Sequence, residues 1–276
     1  KDPQKIRPGK VLNRVYAPNV SVEEFEKLIK SNYDTDVKVL NPGEKGSLSS
    51  KFKTFAFDVN GEPVSIVLAS GVIAGAAGEA AEVSRLQDEI EQHGSVSIEA
   101  AGVVHKDIVK IEKVPGNKKA DFQLINSSGK PVIFIQHKSP THQQMSGISK
   151  LSKTDFPEIA AFVDKVKASM QPGDTRLTQR VTEPVKDPKL KQLATYGTLN
   201  ASFGPNAVQL YCVGELSLKK EGDVFKVKGS AKTFEYPEEL PNDYQPTLMA
   251  RYATGRNQEG ISNIRIGIYP KNVQND

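Results

Sequence analysis

Apolar and polar residues alternate on both sides of a short polar cluster near the middle of the chain. Residues 121–125 and 131–138 are rich in Ile, Val and Phe, and the intervening residues 126–130 read Asn-Ser-Ser-Gly-Lys. Two such runs around a polar cluster that contains glycine are typical of a β-hairpin. The pattern therefore predicts a central hairpin.

The alternation also predicts which side chains of this hairpin lie together. Side chains point to opposite faces in turn along a strand, so Gln136 and Lys138 share one face and His137 lies on the other. Antiparallel pairing places the start of the first strand beside the end of the second. We therefore expect Asp121, at the start of the first strand, to reach Gln136 and Lys138.

Helical patterns flank the hairpin on both sides. Apolar residues recur at helical spacing within residues 79–91, and residues 156–170 show a second amphipathic pattern. In the first of these helices Glu82 lies on a face that adjoins the apolar stripe, with Glu79 one turn away. The predicted order is thus helix, hairpin, helix.

A capped helix is predicted near the start of the chain. Ser21 is followed three residues later by Glu24, which is the spacing of a capping box. The helix that follows should turn Phe25, Leu28 and Ile29 inward.

A second hairpin and a glycine-rich turn come next. Residues 51–59 and 63–69 are strand-like and are joined by an Asn-Gly pair, a strong hairpin turn. The run from Gly71 to Gly78 then enters a helix, which is the setting of a dinucleotide-binding turn. Its glycine spacing is GxxxGxxG rather than GxGxxG, and the preceding hairpin favours an antiparallel strand. We prefer a helix entry packed closely on a sheet, with a nucleotide-binding α/β enzyme as an alternative.

Together these patterns predict an α/β protein with a mixed sheet flanked by helices. We expect a single domain over residues 1–276, divided into three segments. An arm, helix and hairpin form residues 1–70, the core forms residues 71–170, and a β-rich extension forms residues 171–276.

Composition narrows the class of protein. The chain has 276 residues, 25% of them charged, and a formal net charge of +4, which favours an anionic partner only mildly. No apolar run approaches the roughly 18 residues that a membrane span needs. The single cysteine, Cys212, cannot form an internal disulfide. We expect a cytoplasmic protein without a membrane partner.

The residues of the central hairpin resemble the PD-(D/E)xK nuclease superfamily of restriction enzymes, junction resolvases and phage exonucleases. In that family an acidic residue opens one strand, and an acid, any residue and a lysine close the other. Asp121 matches the first acid and Lys138 the lysine, whereas Gln136 stands where the family usually has Glu or Asp. The helix, hairpin, helix order is also that of the family's core. The resemblance therefore implies a restriction endonuclease-like fold.

The resemblance also implies a metal-dependent deoxyribonuclease. Asp121 would be the principal ligand of Mg²⁺ or Mn²⁺, Gln136 would offer its amide oxygen, and Glu82, or Glu79 as second choice, would restore the missing negative charge. Lys138 would orient the attacking water and help neutralise developing charge. DNA would be the partner, and a homodimer is one option for the assembly.

Further residues suit contacts with a nucleic acid. His142, Gln143 and Gln144 follow the hairpin and are expected to line the nucleic-acid channel, and Arg251 and Arg256 form a basic group near the end of the chain. The neutral Gln136 leaves open a second alternative, a nucleic-acid-binding or structural module that kept the nuclease core and lost the chemistry.

Overall fold

A computed structural model describes residues 13–16, 20–49, 52–69, 76–140, 144–174 and 177–271. The chain divides into two compact units, Lys1–Ala81 and Glu82–Asp276. The α-helices in the described ranges are α1 Val22–Tyr33, α2 Ala76–Gln92, α3 Pro157–Ser169 and α4 Pro188–Tyr196. Together with the β-sheets described in the next paragraphs, these helices form an α/β fold, as the sequence predicted. No described helix is both long and apolar enough to cross a membrane.

The smaller unit contains a four-stranded sheet with α1. Its strands are β1 Asn13–Tyr16, β2 Lys38–Leu40, β3 Thr54–Val59 and β4 Glu62–Ala69, in the order β1-β4-β3-β2. β3 and β4 form the predicted antiparallel hairpin, while β1 runs parallel to β4. Asn60 and Gly61 both have positive φ, which a tight turn of this kind requires.

Helix α1 begins as the sequence predicted. The Ser21 side chain accepts a hydrogen bond from the Glu24 N–H, and the Glu24 carboxylate accepts one from the Ser21 N–H, each at 3.1 Å. Phe25 and Ile29 are buried, but Leu28 is 52% exposed. The inward prediction for Leu28 was wrong, because the stripe of α1 that packs on the sheet runs from Val22 through Phe25 and Ile29 to Tyr33, and Leu28 lies beside it.

The larger unit is built on an eight-stranded mixed sheet. Its order is β12-β13-β5-β6-β7-β8-β11-β14, in which the pairs β5/β13 and β8/β11 are parallel and the others antiparallel. The strands are β5 Val96–Ala100, β6 Val103–Lys113, β7 Phe122–Asn126, β8 Pro131–Lys138, β11 Leu210–Val213, β12 Leu216–Glu221, β13 Val224–Gly229 and β14 Lys232–Glu235. Strands from the predicted C-terminal segment therefore share this sheet with the predicted core.

A second, antiparallel sheet belongs to the same unit. Its order is β10-β15-β16-β9, formed by β9 Ser146–Gly147, β10 Val181–Pro184, β15 Pro246–Tyr252 and β16 Ile264–Pro270. β9 pairs with β16 through Ser146 opposite Ile268. Ser146 and Gly147, which follow the central hairpin in the sequence, are thereby held on this second sheet.

The central hairpin β7–β8 is present where the sequence placed it. The Asn126 side-chain oxygen accepts hydrogen bonds from the N–H groups of Ser128 and Lys130 at 3.1 and 3.0 Å. Gly129 takes φ +80°, a conformation that glycine adopts without steric cost. The turn chemistry thus fixes the hairpin locally.

The two faces of β8 lie in different apolar cores. Ile135 packs in a cluster with Leu86 of α2, whereas Phe134 packs in a cluster with Phe162 of α3. Because side chains alternate, Gln136 lies on the face of Phe134. The predicted site is therefore on the α3 side of the sheet.

Candidate active site

Asp121 is held between the two strands of the central hairpin. Its N–H donates to the Ile135 carbonyl at 2.8 Å, and its carboxylate accepts the His137 N–H at 2.7 Å. Phe122 pairs with Ile135, so the next position along the ladder sets Asp121 opposite Gln136. Directly opposite residues of an antiparallel pair point to the same face. Asp121 and Gln136 are therefore neighbours on one face.

Lys138, the last residue of β8, completes this group. It shares the face of Gln136 by alternation. Burial lowers the pKa of Lys138, and the nearby Asp121 carboxylate opposes that shift. Within the described ranges the Lys138 amine makes no hydrogen bond or ion pair. The structure thus brings together the three hairpin residues that the alternation selected.

Gln136 presents an oxygen that no described protein group satisfies. The side chain is 5% exposed, and its Nε2 donates to the Met145 carbonyl at 3.4 Å. Its buried Oε1 has no hydrogen-bond partner in the described part of the chain. Buried polar atoms are rarely left unpaired, so this oxygen suits a bound group.

His137 points away from this group, as expected. Its Nε2 lies 2.7 Å from the Gly214 carbonyl, and its ring centroid lies 5.7 Å from that of Phe122. Phe122 belongs to the core on the α2 side of the sheet. His137 is therefore a packing residue.

A second lysine, Lys119, lies near Asp121 and Lys138 and was missed by sequence reasoning. Its amine donates to the carbonyls of Met145 at 3.2 Å and Ala194 at 2.8 Å. Part of the residue is exposed, but protein atoms enclose the amine, and this burial lowers the pKa of Lys119 to about 7. The charge of Lys138 lowers the pKa of Lys119 further, and the charge of Asp121 opposes this decrease. Lys119 lies two residues before Asp121 in the sequence, and this spacing could have identified it as a candidate site residue.

Gly197 leaves room for the Lys119 side chain. It ends α4 with φ +78°. A Cβ at this position would lie 2.3 Å from the Asn206 carbonyl oxygen and 2.7 Å from Cδ of Lys119. Only glycine fits both the conformation and the space, so Gly197 helps to set where Lys119 lies.

Glu82 does not join the hairpin group, which corrects its expected placement. Its carboxylate pairs with Arg85 at 3.0 Å and accepts the Leu216 N–H at 2.9 Å. Helix α2, which carries both residues, packs through Leu86 on the opposite face of the sheet from Asp121. Residue spacing does not report how α2 is rotated on the sheet, so sequence reasoning could not place Glu82 on the correct face.

A cleft of about 1150 Å³ lies at Gln136 and Lys138. Its described lining contains a single acidic side chain, Asp155. The cationic side chains of that lining belong to Lys118, Lys119, Lys138, Lys150, Arg256 and Arg265. A cleft lined mainly by one sign of charge concentrates ligands of the opposite sign. This cleft therefore favours an anion.

The predicted nucleic-acid contacts divide into three groups. Gln144 and Arg256 line the cleft. Arg251 is not among its lining residues and donates through Nε to the Tyr269 hydroxyl at 3.3 Å. His142 and Gln143 lie outside the described residues.

The oxygen donors at the site suit a hard divalent cation only in part. The Asp121 carboxylate and Gln136 Oε1 could supply two ligands, and Mg²⁺ commonly keeps waters in its other positions. In the described residues no group of three His, Cys, Asp or Glu side chains could hold a metal. Of the two carboxylates expected to bind the cation, only that of Asp121 lies here, because Glu82 pairs with Arg85.

The alternative nucleotide site falls largely outside the described residues. Residues 70–75, which include Gly71 and Gly75, are not described, and Gly78 lies within α2 rather than ahead of it.

No protein-family model, no curated protein and no solved structure matches this chain.

Proposed function

We propose that this protein is a metal-dependent nuclease that binds DNA in the cleft and hydrolyses phosphodiester bonds beside Asp121, Gln136 and Lys138. One observation carries the proposal: Gln136 and Lys138 line a cleft whose described lining holds six cationic side chains and one acidic one. Each backbone phosphate of DNA is an anion, so the cleft would attract the backbone and lead it to the three residues.

The arrangement of elements supports the same proposal. α2, the hairpin β7–β8 and α3 follow one another in the order of the PD-(D/E)xK core. On this basis we propose a restriction endonuclease-like fold for the larger unit, with Gln136 in place of the second acid.

The chain's own residues have separate roles in this proposal. Asp121 and Gln136 Oε1 would hold Mg²⁺ or Mn²⁺, which when bound supplies an activated water and offsets charge on the phosphate. The His137 N–H orients the Asp121 carboxylate. The Lys138 amine is available to donate to a phosphate oxygen, where it stabilises the negative charge that builds up during hydrolysis.

A cleavage assay tests this function. The wild-type protein is incubated with supercoiled plasmid and with single-stranded DNA, in Mg²⁺, in Mn²⁺ and in chelator. We expect cleavage of DNA in at least one metal and none in chelator. Intact DNA under every condition, or cleavage that persists in chelator, contradicts the proposal.

A second candidate function is nucleic-acid binding without hydrolysis. The observation that favours it is the charge at the site, where Gln136 is neutral and Glu82 is paired with Arg85 on the other face of the sheet. Lower negative charge weakens the hold on a divalent cation. Saturable DNA binding without cleavage in any metal would select this function.

A further inference from the structure

Lys119 occupies a fixed position at the cleft. Two carbonyl oxygens, those of Met145 and Ala194, accept hydrogen bonds from its amine. A lysine ammonium has three donors, so one remains for another acceptor. Lys119 lines the cleft, where that acceptor would be a bound group.

The hydrogen bonds that hold the Lys119 amine do not neutralise its positive charge. Carbonyl groups are dipoles without net charge, and no carboxylate of the described residues forms an ion pair with this amine. Lys138 likewise has no ion-pair partner in the described ranges. Among the described carboxylates, that of Asp121 is the one whose charge acts on both lysines.

Among the described residues, the basic and acidic groups at this point are therefore unequal in number. Two lysine amines face one carboxylate, that of Asp121. Enclosed charges are costly unless they are paired, so the site favours one more negative charge. A phosphodiester group carries one.

We propose that Lys119 is a phosphate-binding residue, and that Lys119 and Lys138 together hold a backbone phosphate of DNA in the absence of a divalent cation. This inference rests on the DNA-binding part of the proposed function and is independent of hydrolysis. It assigns Lys119 a contact with the substrate that the PD-(D/E)xK pattern does not contain.

The test measures DNA affinity in chelator, so that cleavage plays no part. A fluorescent 20-nucleotide DNA, single-stranded and as a duplex, is titrated with wild-type protein and with Lys119→Gln, which keeps a hydrogen-bond donor but removes the charge. We expect affinity to fall roughly tenfold or more, as for a lost charged hydrogen bond. The dependence of log affinity on log salt should become shallower by about one unit.

Lys130→Gln is the matched control. Lys130 is exposed in the turn at the far end of the hairpin and does not line the cleft. Its variant should keep wild-type affinity, and melting temperatures of all variants show whether each is folded. A folded Lys119→Gln variant with wild-type affinity and salt dependence overturns the proposal.

A second measurement uses the wild-type protein and does not depend on the folding of a variant. Formaldehyde crosslinks to DNA in chelator are mapped by mass spectrometry. We expect a crosslink at Lys119; crosslinks at Lys118 and Lys150 with none at Lys119 overturn the proposal. So does a wild-type protein that binds no DNA in chelator, even if it cleaves DNA in Mg²⁺. Absence of cleavage with a clear effect of Lys119→Gln on affinity contradicts the nuclease function alone.

Discussion

Lys119 and Gln136 donate hydrogen bonds to the same acceptor, the main-chain carbonyl of Met145, at 3.2 and 3.4 Å. The Met145 N–H in turn donates to the Ile268 carbonyl of β16 at 2.8 Å. The orientation of the Gln136 amide, and hence of its unpaired oxygen, is therefore tied to the second sheet. This bond links the candidate site to elements more than 100 residues further along the chain.

Gly197→Ala should disturb the site through Lys119. The new Cβ would meet the Asn206 carbonyl and Cδ of Lys119, so we expect a loss of about 1–3 kcal/mol in the free energy of unfolding and weaker DNA binding. Gly129→Ala is the control, because Gly129 also has positive φ but no atom lies within 4 Å of its added Cβ. Equal DNA affinity in the two variants would speak against a role of Gly197 in placing Lys119.

Glu82→Ala should affect stability and leave the chemistry intact. The change removes the buried carboxylate that pairs with the Arg85 guanidinium and accepts the Leu216 N–H, so denaturant unfolding should show a loss of about 2–4 kcal/mol. Asp88→Ala, at an exposed position of the same helix, should cost far less. If folded Glu82→Ala protein lost cleavage, the result would indicate that Glu82 binds the metal after all.

Arg256→Gln and Arg251→Gln should differ in DNA binding. Arg256 lines the cleft, so its loss should weaken binding and lower the salt slope by about one unit. Arg251 bonds to the Tyr269 hydroxyl and does not line the cleft, so its variant should bind DNA with nearly wild-type affinity. Titrations at several salt concentrations measure both quantities, and equal losses would show that the cleft extends to Arg251.

Cys212 should resist thiol reagents until the protein unfolds. Burial raises the pKa of Cys212 to about 12, so the folded thiol stays protonated at neutral pH. An unfolded thiol ionises near pH 8.5, so raising the pH from there toward 12 favours unfolding through this residue. Unfolding of wild type and Cys212→Ala between pH 7 and 10 should show a steeper decline in the wild type. Rapid labelling of the native protein would contradict this placement.

The central hairpin could be predicted because its determinants are local. Asn126 and Gly129 make the turn, and strand alternation then sets Asp121, Gln136 and Lys138 on one face. The capping box of α1 and the Asn-Gly turn of the first hairpin are local in the same sense.

Features that depend on packing between distant segments could not be predicted. The rotation of α2 on the sheet decides that the Glu82 carboxylate reaches the Leu216 N–H and not the hairpin residues, and no spacing in the sequence reports it. Arg251 and Arg256 look alike in the sequence, yet only Arg256 reaches the cleft. The contacts of Lys119 come from Met145 and from α4, which are separated from it by 26 and 75 residues.

Cleavage by Asp121→Asn and Lys138→Met, compared with Asp164→Asn, tests the proposed nuclease centre most directly. Asn at position 121 can still accept the His137 N–H, and Asp164 is exposed on α3 outside the cleft. We expect both site variants to lose metal-dependent cleavage of plasmid DNA while their melting temperatures stay near that of the control, which should cleave as the wild type does. Wild-type cleavage by folded Asp121→Asn protein would contradict the assignment of the centre.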